Sequence, residues 1–206
     1  MSTLNTTNLK NPSSGSNNIV LGTDGSTTIT TLSATTLSAT TITGASVRGG
    51  ITSGTAVAST SGVAIDFTGI PSWVKRVTVM FSGVSTSGTS AFLIQLGTSS
   101  GFTTTGYTAS GANNSTSSIG VSGSTAGFIL MSALLAANTH SGGVVISSLS
   151  STAWTSSGVL VRSSNDGTFT SGGTVTLSGT LDRIRITTVN GTDTFDAGSV
   201  NILWEG

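Results

Sequence analysis

The chain has 206 residues, only 7% of them charged, and its 7 basic and 7 acidic side chains cancel to a formal net charge of +0. An average soluble protein carries about 25% charged residues, so here Ser, Thr, Gly and Asn stand where Lys and Glu usually do. So few basic side chains argue against binding to a phosphate backbone, and the lack of cysteine excludes disulfides and thiolate metal sites.

Residues 1–20 open with MSTLNTTNLKNPSSGSNN, which is polar and without hydrophobic period. No apolar core of a secretory signal peptide is present there, and no run in the chain reaches the ~18 apolar residues of a membrane span. The segment reads as flexible or as an attachment peptide that orders on a partner.

Residues 21–54 carry a short repeat. Leu32, Leu37, Ile42 and Val47 recur every five residues, and LSATT occurs twice in tandem. Five is neither the helix nor the strand period, and β-branched Thr disfavours an isolated helix. One apolar residue in five cannot build a core within one chain. Three chains about an axis would stack these four positions into a narrow seam, so the segment is expected to form an extended, Thr-rich trimeric stalk. A disordered Thr/Ser linker is the alternative.

RGGITSGTAV follows as a turn-rich hinge. Residues 55–206 then show strand signals between Gly, Ser and Asn turns, over 62–67, 74–81, 91–97, 126–132, 143–149, 158–164, 173–179, 181–189 and 198–205. Many short strands at this spacing predict an antiparallel β-sandwich, jelly-roll-like in character. AGFILMSALLAANTH is the best helical candidate, with Met131, Leu134 and Leu135 on an inward turn; a strand leading into a loop is equally compatible. Val74, Val77, Val79 and Phe81 mark an apolar face, and Lys75 and Arg76 beside them suggest a bulge or an imperfect register. Ile184, Ile186 and Thr188 alternate with Arg183, Arg185 and Thr187, which places the arginines on a solvated face or against an anionic partner. Asn190-Gly191 starts a turn, and the final strand is expected to tie Trp204 into a sheet.

Candidates for chemistry are sparse. The lone His140, in ANTHSGG, reads as a surface loop residue, and three copies on a threefold axis are the one arrangement in which it would meet a metal. Asp193 and Asp196 are neighbours, but the aromatics available to line a sugar cleft are few: Tyr107, Trp73, Trp154 and Trp204. Asn190, Thr192, Asp193 and Asp196, or Asn165 and Asp166, offer oxygens to calcium without the spacing of an EF-hand; turn formation accounts for them. We therefore expect no enzyme activity, cofactor or resident metal. FTTTGYTASGANNSTSS, residues 102–118, reads as a long polar loop. It is either a mobile, solvated segment or a receptor-facing tip, in which Tyr107, Asn113 and Asn114 would contact a neutral glycan.

Two stretches carry a resemblance. GIPSWVKRVTVMFSGVSTSGTSAFLIQLG has Ile70-Pro71-Ser72-Trp73 leading into a strand. SSGVLVRSSNDGTFTSGGTVTLSGTLDRIRITTVNGTDTFDAGSVNILWE has Asn190-Gly191, then Phe195-Asp196-Ala197-Gly198 before a closing strand at Trp204. Together they bracket most of residues 62–206 and resemble the C-terminal domains of phage tail fibres, especially of marine and cyanobacterial podophages. The LSATTLSATTITG segment is similar to repetitive fibre shafts. The resemblance implies a β-structured, usually trimeric module at the virion surface. It would be joined to capsid or tail proteins through its N-terminal segment and would touch host surface polysaccharide, with no nucleic-acid partner and no membrane insertion. The motifs name no active site. No sizeable adaptor domain is legible ahead of the repeat, so a tail fibre, a short head fibre and a capsid decoration protein all remain compatible.

Overall fold

The computed structural model describes residues 8–9, 13, 19–21, 27–29, 51–116, 119–132, 136, 138–163 and 167–206. Backbone contacts divide the chain into two units, Met1–Val47 and Arg48–Gly206. In the first, β1 (Asn8–Leu9), β2 (Ile19–Leu21) and β3 (Thr27–Ile29) form a three-stranded antiparallel sheet in sequence order. The expected attachment peptide thus contributes strand residues. The stalk positions Leu32, Leu37, Ile42 and Val47 lie outside the described residues.

The second unit is all-β, and every strand pair in it is antiparallel. Nine strands make the larger sheet: β4 (Thr52–Ser53), β5 (Val57–Ala58), β7 (Arg76–Thr86), β10 (Thr108–Ser115), β11 (Ile119–Ser124), β13 (His140–Ser148), β14 (Ala153–Arg162), β15 (Gly167–Thr176) and β17 (Phe195–Glu205). Their order is β11-β10-β15-β14-β13-β7-β17-β4, with β5 also on β17. The smaller sheet runs β12 (Phe128–Ile129), β8 (Phe92–Thr98), β16 (Arg183–Thr188) and β6 (Ile65–Thr68), with β9 (Gly101–Phe102) also on β8. The expected hinge supplies β4 and β5, which cover the outer edge of β17. Gly54 N–H donates to Ile202 O at 2.8 Å and Ser59 Oγ to Ala197 O at 2.7 Å.

Alternation explains these elements. Val77, Val79 and Phe81 of β7, Val144 and Ile146 of β13, and Val200 and Ile202 of β17 all turn inward. β8 is buried along its whole length, as a strand enclosed on both faces must be. Both sheets contribute to one apolar core. Phe92 of β8 stacks on Phe81 and Phe195 of the larger sheet, with ring centroids 6.0 and 6.2 Å apart, and meets His140 edge-on at 5.6 Å. Burying each such side chain contributes about 1.5–3 kcal/mol.

Several expectations change. Val74 sits in a turn, where its N–H donates to Pro71 O, and the ladder is regular from Arg76. The irregularity lies at the other end of β7, where Gly83 and Gly198 adopt φ of 63° and 87° and the register with β17 shifts twice. A Cβ on Gly198 would sit 2.3 Å from Gly83 O, so glycine is required there. No helix occurs among the described residues. Of AGFILMSALLAANTH, Phe128–Ile129 form β12 and Phe128 to Met131 are all buried, while Leu134 and Leu135 of the expected helical turn lie outside the described residues. Four consecutive buried apolar residues fit a strand end covered on both sides.

Candidate interaction surfaces

The expected polar tip at residues 102–118 is a loop only over residues 103–107 and is a strand over Thr108–Ser115, with residues 117–118 outside the described residues. It holds β9 and the start of a hairpin in which β10 pairs with both β11 and β15. Hydropathy misses β10 because its inward positions are Ala109, Gly111 and Asn113. They are small for a reason: a Cβ on Gly111 would come 2.5 Å from Met131 N. Tyr107 is buried against Phe128, edge-on at 5.0 Å, and its hydroxyl accepts a 2.7 Å hydrogen bond from Leu96 N–H. Burial pushes the phenol up to about 12, against the opposing Leu96 bond. It is therefore a core residue and presents no ring to a glycan. Asn113 is buried as well, and of the three expected contact residues only Asn114 is exposed.

His140 is likewise not a surface residue. It is fully buried at the start of β13, caged by Phe92 at 5.6 Å and Phe169 at 5.3 Å. Neither ring nitrogen meets a hydrogen-bond partner. Burial pushes the imidazole down to about 4; the adjacent Val84 backbone opposes this, and the charge of Arg162 across the ladder adds to it. An enclosed ring cannot reach a metal on a symmetry axis.

The oxygen-rich turn at 190–196 satisfies itself. Asn190 Oδ1 accepts from Thr188 Oγ1 at 2.8 Å and Thr192 N–H at 3.1 Å, while Asp193 accepts from Asn190 Nδ2 at 2.6 Å and Ser90 N–H at 3.0 Å. Asp196 accepts from Ser85 Oγ. Among the described residues no group of three His, Cys, Asp or Glu side chains is placed to hold a metal; Asn165 and Asp166 lie outside them. Trp154 is buried, Trp204 packs on the core from β17, and Trp73 is half exposed.

Two outer surfaces remain. On the smaller sheet, Arg185 makes a two-pronged ion pair with Asp66 (2.8 and 2.7 Å) and lies 4.2 Å over the Phe102 ring, while Arg183 pairs with Asp182 at 2.8 Å. The Asp66 hydrogen bond raises the arginine pKa further. Beside them is an open pocket of about 400 Å³, where Ser72, Ser99, Ser100, Ser178 and Thr180 offer hydroxyls and Asp182 a carboxylate. Such a lining is suited to hydrogen-bonding a polyhydroxylated ligand.

The outer face of the larger sheet is different. Strand register aligns Asn201, Met80, Gly143, Val159, Thr170, Ala112 and Val121 in one row across seven strands. A second row runs Val161, Thr168, Asn114 and Ile119. Neither contains a charged residue. Ile119 is 82% exposed, Val121 70%, Val159 52% and Val161 46%. Gly143 and Gly158 leave a shallow hollow of about 440 Å³ between Val145 and Val159. Sequence reading missed this face, although Val159-Leu160-Val161 is an unbroken apolar run, the signal of a strand that seeks cover on both sides. Comparison with family models, with curated proteins and with solved structures finds no match to this chain.

Proposed function

We propose that the chain is a non-catalytic, trimeric fibre subunit of a phage virion that mediates attachment to the host surface, mounted on the tail or as a short head fibre. In this reading the second unit is the head, a jelly-roll-like β-sandwich built from the two sheets. The periodic segment ahead of Arg48 forms the stalk, and residues 1–20 dock to capsid or tail proteins. The carrying observation is the combination of an all-β unit of very low charge with a preceding segment whose apolar residues recur every five positions. That periodic segment has no use for its apolar side chains within one chain. The hydroxyl-lined pocket beside Asp182 supplies a surface suited to neutral host polysaccharide. Many weak contacts presented together raise avidity by roughly 10²–10⁴.

A capsid decoration protein that stabilises the head without receptor binding is the second reading, favoured by the same low charge. A free neutral-glycan-binding module is the third. Cryo-electron microscopy of intact particles, with residues 1–50 traced, separates them. A threefold stalk joined to the tail or rooted on the shell supports the fibre, and the root says which kind. Residues 1–50 lying flat across capsomer junctions support decoration. Absence from the particle, with sugar binding retained by the free protein, supports the glycan module.

A further inference from the structure

The outer face of the larger sheet has the composition of an interface and, among the described residues of its own unit, no cover. Its exposed aliphatics fall in two groups on the same molecule. Ile119 and Val121 project from β11, the edge strand of the sheet. Gly143, Gly158 and Ser171 form a hollow on β13, β14 and β15, walled by Val145 and Val159. The two groups are complementary: a branched apolar knob and an uncharged recess in which Ser157 and Ser171 stand beside Val145 and Val159.

We infer that this face is the contact between copies of the chain, with Ile119 and Val121 of one copy seated in the Gly143–Gly158 hollow of the next. Three observations identify the occupant as a second copy. First, β11 is an edge with no charge, no proline and no bulge in its pairing with β10; natural sheets protect free edges with such devices, and an edge without them needs a cover. Second, the rows around the hollow hold no Lys, Arg, Asp or Glu, so a charged partner would bury its charges unpaired, which is strongly unfavourable. A surface of matching neutrality is the one this chain itself carries. Third, the size fits. Five strands ~4.8 Å apart and six residues rising ~3.4 Å each give roughly 500 Å² per copy, so a closed ring of three copies would bury about 1,500 Å² in all, on the scale of a specific assembly. A knob on one patch and a recess on another make a head-to-tail contact, which closes into a ring when repeated about a symmetry axis.

The inference rests on the trimeric reading above, and the test separates the two. The chain has no cysteine, so paired cysteines report cleanly. In the double variant Val121→Cys with Val159→Cys, the two positions in one chain are three strand spacings apart, ~14 Å, beyond disulfide reach; any bond therefore joins two copies. Under mild oxidation the full-length variant is expected to run as covalent trimers on a non-reducing denaturing gel. The control pair Val121→Cys with Val189→Cys, whose second site lies beyond the end of β16, should stay monomeric on that gel. Light scattering gives the native mass in parallel. A threefold mass without cross-linking overturns the interface and leaves the trimer standing. A monomeric mass overturns both. A cross-linked dimer of twofold mass overturns the ring and replaces it with a reciprocal face-to-face pair.

Discussion

The outer faces of the two sheets solve the same problem in opposite ways. The smaller sheet exposes Arg183 and Arg185, but each is paired with a carboxylate of the same chain and Arg185 is stacked over Phe102. Its charges are used up locally. The larger sheet carries no charge along its central rows and instead leaves Ile119, Val121, Val159 and Val161 in solvent. One face is finished within the chain and the other is not. Between them lies a core to which both contribute, and this gives the comparison its energetic scale.

The largest effect is expected at the joint between the sheets. Phe92→Ala removes the ring that touches Phe81, Phe195 and His140 and should cost about 3–5 kcal/mol, read as a lower urea midpoint. Acid should come next. His140 is held neutral in the folded chain, down to about pH 4, whereas the unfolded chain takes up its proton near 6.5. Stability is therefore full above pH 6.5 and falls as the pH drops toward 4, by about 3 kcal/mol. His140→Phe keeps a ring in the cage and should flatten that limb of the pH profile; an unchanged slope would assign the acid sensitivity to other groups. Tyr107→Phe strands the buried Leu96 N–H and should cost about 1–3 kcal/mol. It should leave saccharide binding by the folded protein unaltered, which distinguishes a core tyrosine from a contact residue. The smallest effect belongs to the finished face. Arg185→Ala breaks a half-exposed pair and should change stability by less than about 1 kcal/mol. A loss of several kcal/mol there would mean that the charged face holds the sheets together and that the contrast between the two faces is misdrawn.

The legible part of the fold was the part that obeys one-sided alternation. Val77, Val79 and Phe81, or Ile184 and Ile186, show a period of two because one side meets the core and the other meets solvent. β10 and the first half of β15 were not legible as strands, because close approach of the Met131 segment and of neighbouring strands demands Gly, Ala and Asn inside. A strand built of small residues looks like a loop to any reading based on hydropathy. His140 and Tyr107 failed for a related reason. Both sit among polar neighbours in sequence and among aromatic rings in space, and nothing local announces Phe92 or Phe128. The interface candidate failed differently. Val159 and Val161 were read as strand residues, but only the register across β14, β15, β10 and β11 places them on one surface with Ile119.

The position of β17 carries a consequence for the order in which the molecule can be made. This strand lies inside the larger sheet, between β7 and the short β4 and β5, and Glu205 pairs with Arg76 across 129 positions of sequence. A ribosome delivers β7 long before this partner, so one edge of β7 stays unpaired until almost all of residues 48–206 have emerged. Contacts this distant in sequence fold slowly, and an unpaired β7 edge is exposed to other nascent chains in the interval. Folding of this unit is therefore a closing event, complete only when β17 slots in between β7 and the short β4 and β5, and a chain from which residues 195–206 are deleted would leave β4 and β5 with no partner strand.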